Sequence, residues 1–312
     1  MNILITGGAG FIGKTLANKL IFEDISTTII DIKNDKSLIA ENKISYIQGD
    51  VCDPSIMERV FSHQIFDGIV HLAAVSRVID AENNPDECWR TNVGGVKTLL
   101  KAIEQFNQKP WLIFGSSREV YGEPQSLPVK ESDVKKAVNI YGESKMEGER
   151  LFTDFAKNQD LSCAIVRFSN VYGNRYDIFD RVIPRFIRAI ATDNMLTIEG
   201  GEQLIDFTHI DDTVTSLLKL MDYLGNHEEI QTEFHFCPGI GWSLYDLISY
   251  IEQATGKIAS VKVNQKRNYD VVKFIGDTTK IKTELGLQQF LPLKEGIQKS
   301  ITEYLYVELN TK

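Results

Sequence analysis

The chain has 312 residues, of which 43% are hydrophobic and 25% are charged. That balance is typical of a globular protein with one sizeable core or two smaller ones. The 34 basic and 43 acidic residues give a net charge of -9, which argues against nucleic acid or an anionic membrane surface as the main partner.

The chain opens on a strand followed by a glycine-rich turn, ILITGGAGFIG. Gly7, Gly10 and Gly13 follow the spacing GxxGxxG, which is close to the GxGxxG dinucleotide fingerprint. Glycine is needed there because the backbone turns tightly and approaches a pyrophosphate, while the next helix points its first N–H groups at the anion. The turn therefore predicts a dinucleotide site.

The second predicted strand ends at Asp31, 18 residues after Gly13. An acidic side chain at this position accepts hydrogen bonds from the adenosine ribose and repels a 2′-phosphate, which favours NAD over NADP. A plain turn residue is the alternative interpretation, and Lys33 stands nearby.

Short apolar runs alternate with helical stretches as far as Phe168, and this rhythm predicts a parallel sheet covered on both faces. The predicted strands begin at Asn2, Thr27, Ile44, Gly68, Trp111 and Cys163. The fold class is therefore α/β, a doubly wound (Rossmann) sheet with a smaller C-terminal α/β substrate-binding domain. We expect an NAD-binding domain over 1–169 and a substrate domain over 170–312, with part of 205–235 returning to the first domain.

Two long helices are predicted, one from NNPDE to AIEQF and one over YGESKMEGERLFTDFAK. Such helices could pack against a second subunit. The four cysteines lie far apart, without a CxxC motif or a histidine at metal-ligand spacing, which indicates reduced thiols and no metal site. The first residues show no signal-peptide pattern and no apolar run reaches membrane-span length, so we expect a cytoplasmic protein.

The pattern YxxxK, which places a phenol and an ammonium on one helix face, occurs twice, at Tyr141/Lys145 and Tyr269/Lys273. The first copy follows the strand that ends in Ser117, so the three side chains could converge at the C-terminal edge of the sheet. A tyrosine there can act as a base when the lysine and a positive nicotinamide ring lower its pKa. The second copy lies outside the βα region, and we interpret it as a solvated helix face.

A series of motifs resembles the extended short-chain dehydrogenase/reductase family, specifically its NAD-dependent nucleotide-sugar epimerases and dehydratases. The motifs occur in order over nearly the whole chain: TGGAGFIG, GDVCD, HLAA, TNVGG, SSREVYG, YGESK, RFSNVYG, DRVIP, DFTHIDD, KRNYD and GDTTKIKTELG. The resemblance implies NAD as cofactor, a nucleotide sugar as substrate, with UDP-sugars favoured, and a homodimer.

The resemblance also implies roles for individual residues. The implied NAD contacts are Gly7, Gly10, Phe11, Ile12, Gly13, Asp31, Asp50, Val51, Leu72, Ala73, Ala74, Tyr141 and Lys145. The implied catalytic triad is Ser117, Tyr141 and Lys145, and the implied substrate contacts are Ser117, Asn170, Arg181 and Arg267. Solvated surface arginine is the alternative for the last two. Many relatives carry an arginine where this chain has Ile205, so the substrate diphosphate would depend more on Arg267 and Arg181.

In this family the first step is removal of the sugar 4-OH proton by the tyrosine, here Tyr141, as hydride passes from C4 to NAD. A 4-epimerase returns the hydride to the other face of the ketone and needs only the triad. A 4,6-dehydratase also needs a carboxylate base, and Glu119 matches that position. Arg118 stands where many dehydratases have an aspartic acid, and a guanidinium cannot readily serve as an acid.

The favoured hypothesis is therefore a nucleotide-sugar 4-epimerase, acting on a UDP-hexose with tightly bound NAD. The alternatives are an NDP-sugar 4,6-dehydratase or a UDP-glucuronate decarboxylase using Glu119, in which Arg118 could bind the substrate carboxylate or form a structural salt bridge. A non-catalytic NAD-binding regulator is a further alternative. It is disfavoured because such proteins usually lose the tyrosine or the lysine.

Overall fold

The computed structural model describes residues 1–39, 43–267, 269 and 271–310. Its contacts divide the chain into two compact units. The first comprises Met1–Gly122, Val134–Phe168 and Ser216–Phe234, and the second Glu123–Asp133, Ser169–Thr215 and His235–Lys312.

The strands in chain order are β1 (Asn2–Thr6), β2 (Ser26–Asp31), β3 (Ile44–Gln48), β4 (Gly68–His71), β5 (Trp111–Ser117), β6 (Cys163–Phe168), β7 (Asn170–Tyr172), β8 (Leu196–Glu199), β9 (Leu204–His209), β10 (Gln231–Phe236), β11 (Gly241–Trp242), β12 (Val261–Asn264) and β13 (Lys273–Phe274). The α-helices are α1 (Phe11–Phe22), α2 (Lys36–Ile39), α3 (Pro54–Phe61), α4 (Val78–Asn83), α5 (Pro85–Trp89), α6 (Gly95–Gln105), α7 (Ile140–Asn158), α8 (Val182–Ala191), α9 (Ile210–Gly225), α10 (Leu244–Thr255), α11 (Thr279–Glu284) and α12 (Leu293–Asn310).

The first unit is built on a seven-stranded sheet with the order β10-β6-β5-β4-β1-β2-β3. Strands β1 to β6 pair in parallel, and each coincides with one of the runs predicted from the sequence. The doubly wound α/β prediction is therefore confirmed. The strand order reverses between β1 and β4, and an open sheet of this kind binds its ligand at the carboxyl ends of those strands.

The core of the first unit lies between the sheet and helices α3, α6 and α7. Leu4, Ile69, Leu112 and Ile165 come from four neighbouring strands and are buried in one cluster with Phe152 of α7. Burying aliphatic and aromatic side chains of this size contributes about 1.5–3 kcal/mol each, so α7 is held firmly on the sheet.

The helix predicted between NNPDE and AIEQF differs in one respect from the expectation. It consists of α5, a π-helical turn over Arg90–Gly94, and α6. Asn92 lies in the π turn, where its amide accepts a hydrogen bond from the Val75 backbone N–H at 2.8 Å and donates to Ser144 Oγ at 2.8 Å. These tertiary hydrogen bonds accompany the wider π-helical turn. Hydrophobic periodicity in the sequence does not indicate such a turn. The second predicted helix is α7, as expected.

The described residues of the second unit form two small sheets. Strand β9 pairs with β7, β11 and β13, and β12 pairs with β8. Helices α8, α10 and α12 enclose its core, in which Phe186, Leu247 and Ile297 are fully buried. Helix α9 and strand β10 each contain a boundary between the units, after Thr215 and after Phe234.

The prediction of a helix around the second YxxxK copy is wrong. Tyr269 lies in a turn, and Lys273 is exposed in the short strand β13, where it pairs with Leu204 of β9. Val271 and Val272 precede Lys273, and β-branched side chains suit a sheet better than a helix.

In the ranges that the structure describes, no helix combines the length and the apolar character needed to cross a membrane. All four cysteines are free thiols.

Candidate active site

The glycine-rich turn brings the end of β1 against the end of β4. Gly7 has a φ of +71°, and a Cβ on it would lie 2.6 Å from the backbone nitrogen of Ala73. A Cβ on Gly13 would lie 2.5 Å from the carbonyl oxygen of Gly7, so helix α1 packs closely on the turn. Side chains larger than hydrogen would close this cradle.

The same turn leaves the start of α1 suited to an anion. Gly10 is the N-cap residue and provides no side-chain hydrogen bond, while Phe11 and Ile12 begin the helix. The first N–H groups of an α-helix have no partner within the helix and carry partial positive charge. A pyrophosphate, as in NAD, fits these donors.

Asp31 ends β2, and Asp50 lies two residues after the end of β3. The Asp31 carboxylate accepts hydrogen bonds from the backbone N–H groups of Ala9 and Lys33, both at 2.9 Å, and so fastens the glycine-rich turn to β2. Burial raises the pKa of Asp50, but hydrogen bonds from Cys52 and Arg90 outweigh it and hold that pKa below its ordinary value.

Three further predicted cofactor residues lie at the carboxyl end of β4. Leu72, Ala73 and Ala74 follow this strand and are half-buried, whereas Val51, next to Asp50, is buried. Apart from Tyr141 and Lys145, the predicted cofactor residues therefore gather at or just after the ends of β1 to β4.

Helix α7, which carries the first YxxxK copy, packs on β5, the strand that ends in Ser117. Tyr141 lies in the first turn of α7, and Lys145 follows one turn later. The Lys145 ammonium donates a hydrogen bond to the Gly115 carbonyl at 2.7 Å and lies 5.9 Å from the centre of the Tyr141 ring. Ser117 ends β5, and its hydroxyl accepts a hydrogen bond from the Glu119 N–H at 3.2 Å.

Burial lowers the pKa of Lys145 to about 8, while the nearby Cys88 and Glu149 act in the opposite direction. Lys145 is therefore mostly protonated at neutral pH. A positive charge within about 6 Å of a phenol favours its ionised form, which is the form that accepts a proton.

Two side chains without a predicted role, Asn139 and Glu82, hold the beginning of α7. The Asn139 side chain caps the helix by accepting from the Gly142 N–H at 2.8 Å, and Glu82 accepts from the Ile140 N–H at 2.9 Å. An asparagine directly before a predicted helix is a recognisable N-cap signal, whereas the distant Glu82 gives none.

Glu119 takes part in this arrangement through both carboxylate oxygens. One oxygen lies 3.0 Å from an Arg118 guanidinium nitrogen, and the other accepts a hydrogen bond from the Asn139 amide at 2.8 Å. Both members of the ion pair are buried. Of the two roles considered for Arg118, the structure shows the salt bridge.

The remaining candidates belong to the second unit. Asn170 begins β7, and its buried amide nitrogen has no hydrogen-bond partner among the described residues. Arg181 precedes α8 and lies 3.7 Å from Asp177, whereas the Arg267 guanidinium lies 5.4 Å from the centre of the Tyr269 ring. Ile205 is buried in β9. The substrate-binding roles of Asn170, Arg181 and Arg267 therefore stay predictions.

Comparisons with known proteins agree with this geometry. The model of the NAD dependent epimerase/dehydratase family matches residues 3–231. A UDP-glucose 4-epimerase from Lacticaseibacillus casei is 28% identical over 92% of this chain and 91% of its own.

Two solved structures are similar over almost the full length. UDP-glucose 4-epimerase from Thermotoga maritima, solved with UDP-glucose, is 29% identical with a TM-score of 0.91, covering 99% of this chain and 100% of its own. UDP-glucuronic acid 4-epimerase from Bacillus cereus, solved with UDP-glucuronic acid and NAD, is 26% identical with a TM-score of 0.90, covering 98% of this chain and 100% of its own. The chain belongs to the NAD dependent epimerase/dehydratase family.

Proposed function

We propose that this protein is a UDP-hexose 4-epimerase that uses tightly bound NAD. One observation carries the proposal: Lys145 lies 5.9 Å from the Tyr141 ring and binds the Gly115 carbonyl of β5, two residues before Ser117, while the Glu119 carboxylate is already bound by Arg118 and Asn139. The relatives support it, since the L. casei and T. maritima proteins are UDP-glucose 4-epimerases.

The first unit would bind the cofactor. The glycine-rich turn and the start of α1 suit the pyrophosphate, and Asp31 stands at the end of β2 for the adenosine ribose. Lys145 would bind the nicotinamide ribose. Bound NAD supplies the hydride acceptor and donor.

The chain's own residues would move the proton. Tyr141 would accept the proton of the sugar 4-OH, and the charge on Lys145 would lower the phenol pKa so that it can do so. Ser117 would donate a hydrogen bond to the same oxygen. When the 4-keto sugar is reduced from its other face, Tyr141 would return the proton, so no further acid or base is required.

The second unit would bind the nucleotide sugar. Asn170, with its buried amide nitrogen, and the guanidinium groups of Arg181 and Arg267 supply donors for a diphosphate. Because Ile205 carries no charge, these two arginines would have to neutralise most of the negative charge of the diphosphate.

A second candidate is elimination or decarboxylation with Glu119 as the base. The contacts of Glu119 work against it, because one carboxylate oxygen is paired with Arg118 and the other accepts a hydrogen bond from Asn139. The same pair already uses Nη2 of the arginine that would otherwise bind the carboxylate of a uronic acid.

We further propose that the protein is a cytoplasmic homodimer. The two long helical stretches, α5 to α6 and α7, provide the surface on which a second copy would pack. Sedimentation equilibrium of the purified protein should give twice the mass of the chain, and a monomer mass at micromolar concentration would contradict the dimer.

The activity can be tested with a panel of UDP-glucose, UDP-N-acetylglucosamine and UDP-glucuronate, with products identified by NMR. We expect conversion of at least one of them to its C4 epimer without net consumption of NAD. A 4-keto-6-deoxy sugar or a pentose as the product would overturn the proposal.

A further inference from the structure

A buried network of charges lies next to the catalytic residues without being part of them. Glu149 lies on α7 with a side chain that is 2% exposed, and the Arg167 side chain on β6 is fully buried. The Arg167 guanidinium donates two parallel hydrogen bonds to the Glu149 carboxylate, both at 2.8 Å. Such a bidentate pair fixes both direction and distance.

The same carboxylate is bound from two other segments. Ser116 Oγ donates to Glu149 Oε1 at 2.6 Å, and the Lys135 ammonium donates to Oε2 at 2.9 Å. Arg167 in turn contacts the Tyr121 hydroxyl and the Glu233 carboxylate. Glu149 thus has four donors on its two oxygens, which matches what an ionised carboxylate needs when it is buried.

The network joins the two segments that carry the catalytic residues. Ser116 directly precedes Ser117 on β5, and Glu149 lies one helical turn after Lys145 on α7. Successive side chains of a strand point to opposite faces, so Ser116 can bind the network while Ser117 points away from it. The hydrogen bond from Ser116 to Glu149 therefore fixes the distance between the end of the strand and the helix.

We propose that Glu149 is a positioning residue of the reaction: with Ser116 and Arg167 it fixes Ser117 at the end of β5 against Tyr141 and Lys145 on α7. This inference rests on the proposed function for the roles of those three residues. A reaction that needs its groups held in place loses rate when they shift by about 1 Å, by roughly a hundredfold.

Glu149 also supplies negative charge near Lys145. Hydrogen bonds and charge from Arg167, Lys135 and Ser116 outweigh the effect of burial and keep the Glu149 pKa below its ordinary value, so the carboxylate is ionised at neutral pH. The charge on Glu149 favours the protonated form of Lys145.

The other titratable groups around Lys145 carry little charge at neutral pH or are already paired. Burial lowers the pKa of His71 on β4 to about 3, and burial raises the pKa of the Cys88 thiol on α5, so both are neutral. In the turn after β5, Glu119 is paired with Arg118. From α4, Glu82 binds the start of α7. Replacing Glu149 should therefore change the Lys145 titration more than replacing any charge on the outer face of α7.

The test uses Glu149→Gln, which keeps the shape and one acceptor oxygen but removes the charge, beside Glu149→Asp, which keeps the charge on a shorter side chain. The matched control is Glu147→Gln, which removes an ion pair with Arg150 from the partly exposed face of the same helix. Two readouts are taken: turnover of the UDP-hexose, and the Lys145 side-chain ¹⁵N shift against pH in NAD-loaded, ¹⁵N-lysine-labelled protein, with Lys145→Met to assign the signal.

We expect Glu149→Gln to lower kcat by roughly tenfold to a hundredfold and to move the Lys145 titration down by about one pH unit, since a nearby opposite charge is lost. Glu149→Asp should leave the titration unchanged, and Glu147→Gln should resemble the wild type in both readouts. A purely structural residue would lower the thermal midpoint without moving the titration.

The inference would be overturned if a folded Glu149→Gln variant had the same Lys145 titration and the same kcat as the wild type. Should that variant fail to fold, Ser116→Ala removes one hydrogen bond of the network: a kcat lowered at least threefold with an unchanged substrate KM supports the inference, and an unchanged kcat overturns it. A wild-type protein that turns over no nucleotide sugar contradicts the proposed function, whereas the titration of Lys145 still tests the role of Glu149.

Discussion

At the scale of single residues, Tyr141 has the most specific proposed role, because its phenol would both take and return the proton. Tyr141→Phe should lower turnover by about 10²–10⁴-fold, the range expected when a general acid–base group is lost. Tyr269→Phe, in the other YxxxK copy, is the matched control and should turn over at the wild-type rate. Steady-state kinetics with both variants measures this, and substantial activity in Tyr141→Phe would contradict the role.

The lowered pKa of Lys145 predicts a pH dependence of kcat. Its pKa is lowered to about 8 in the folded protein, so it loses its charge as the pH rises through that value. We expect kcat to fall above about pH 8, and Lys145→Arg to show low activity without this alkaline limb, because arginine stays protonated. An identical limb in Lys145→Arg would assign the titration to another group.

The titration of Lys145 should also affect stability, in the direction opposite to its effect on kcat: as the pH rises, kcat falls and the free energy of unfolding increases. Between pH 8 and the ordinary lysine pKa, the unfolded chain binds more protons at this position than the folded one, so the Lys145 contribution to the free energy of unfolding rises with pH. Thermal unfolding should therefore show the wild type gaining stability relative to Lys145→Met as the pH rises above about 8. A relative stability of the wild type that fell over this range would contradict the lowered pKa.

Substitution of Glu119 distinguishes a structural role of its carboxylate from a role as a catalytic base. Glu119→Gln keeps an oxygen that can accept from Asn139 but removes the charge that faces Arg118. We expect epimerase turnover to fall less than tenfold, with a lower thermal midpoint, because a buried guanidinium loses its counter-charge. Glu143→Gln on the exposed face of α7 is the control. Complete loss of turnover in folded Glu119→Gln protein would instead indicate that its carboxylate takes part in the chemistry.

At the scale of elements, the glycine-rich turn allows a pair of contrasting substitutions. Gly7→Ala forces a methyl group against Ala73 in a left-handed conformation, whereas a Cβ on Gly94 would meet nothing within 4 Å. The left-handed conformation alone costs an alanine about 1–2 kcal/mol. We expect Gly7→Ala to lose NAD affinity and stability and Gly94→Ala to retain both. Calorimetric titration with NAD and thermal unfolding would check this, and wild-type NAD affinity in Gly7→Ala would contradict the predicted cradle.

The elements also show what local sequence can and cannot indicate. The six predicted strands and α7 have strong, uninterrupted patterns, and the structure contains all of them. The π turn around Asn92 and the strand at Lys273 depend on partners far along the chain, Val75 and Ser144 in one case and β9 in the other. Hydrophobic periodicity reports which face is buried and carries no information about such partners.

The candidate site divides along the same line. Ser117, Tyr141, Lys145 and the glycines stand in motifs whose spacing has a chemical reason, so sequence was enough to place them at one sheet edge. The bonds that hold them were not predictable, because Ser116, Glu149 and Arg167 lie on three separate segments and meet only when the sheet forms. In the sequence, the sign of that network was Arg167, a charged residue within the apolar run of β6.

At the scale of the whole molecule, the proposed reaction leaves a distinctive isotopic record. An epimerase acts at C4 alone, whereas elimination or decarboxylation brings a solvent proton into the product. The most direct measurement is ¹H NMR of UDP-glucose incubated with the enzyme in D₂O. We predict an equilibrium mixture with UDP-galactose that carries no deuterium at C4 or C5. Deuterium at C5, or a 4-keto-6-deoxy product, would contradict a 4-epimerase.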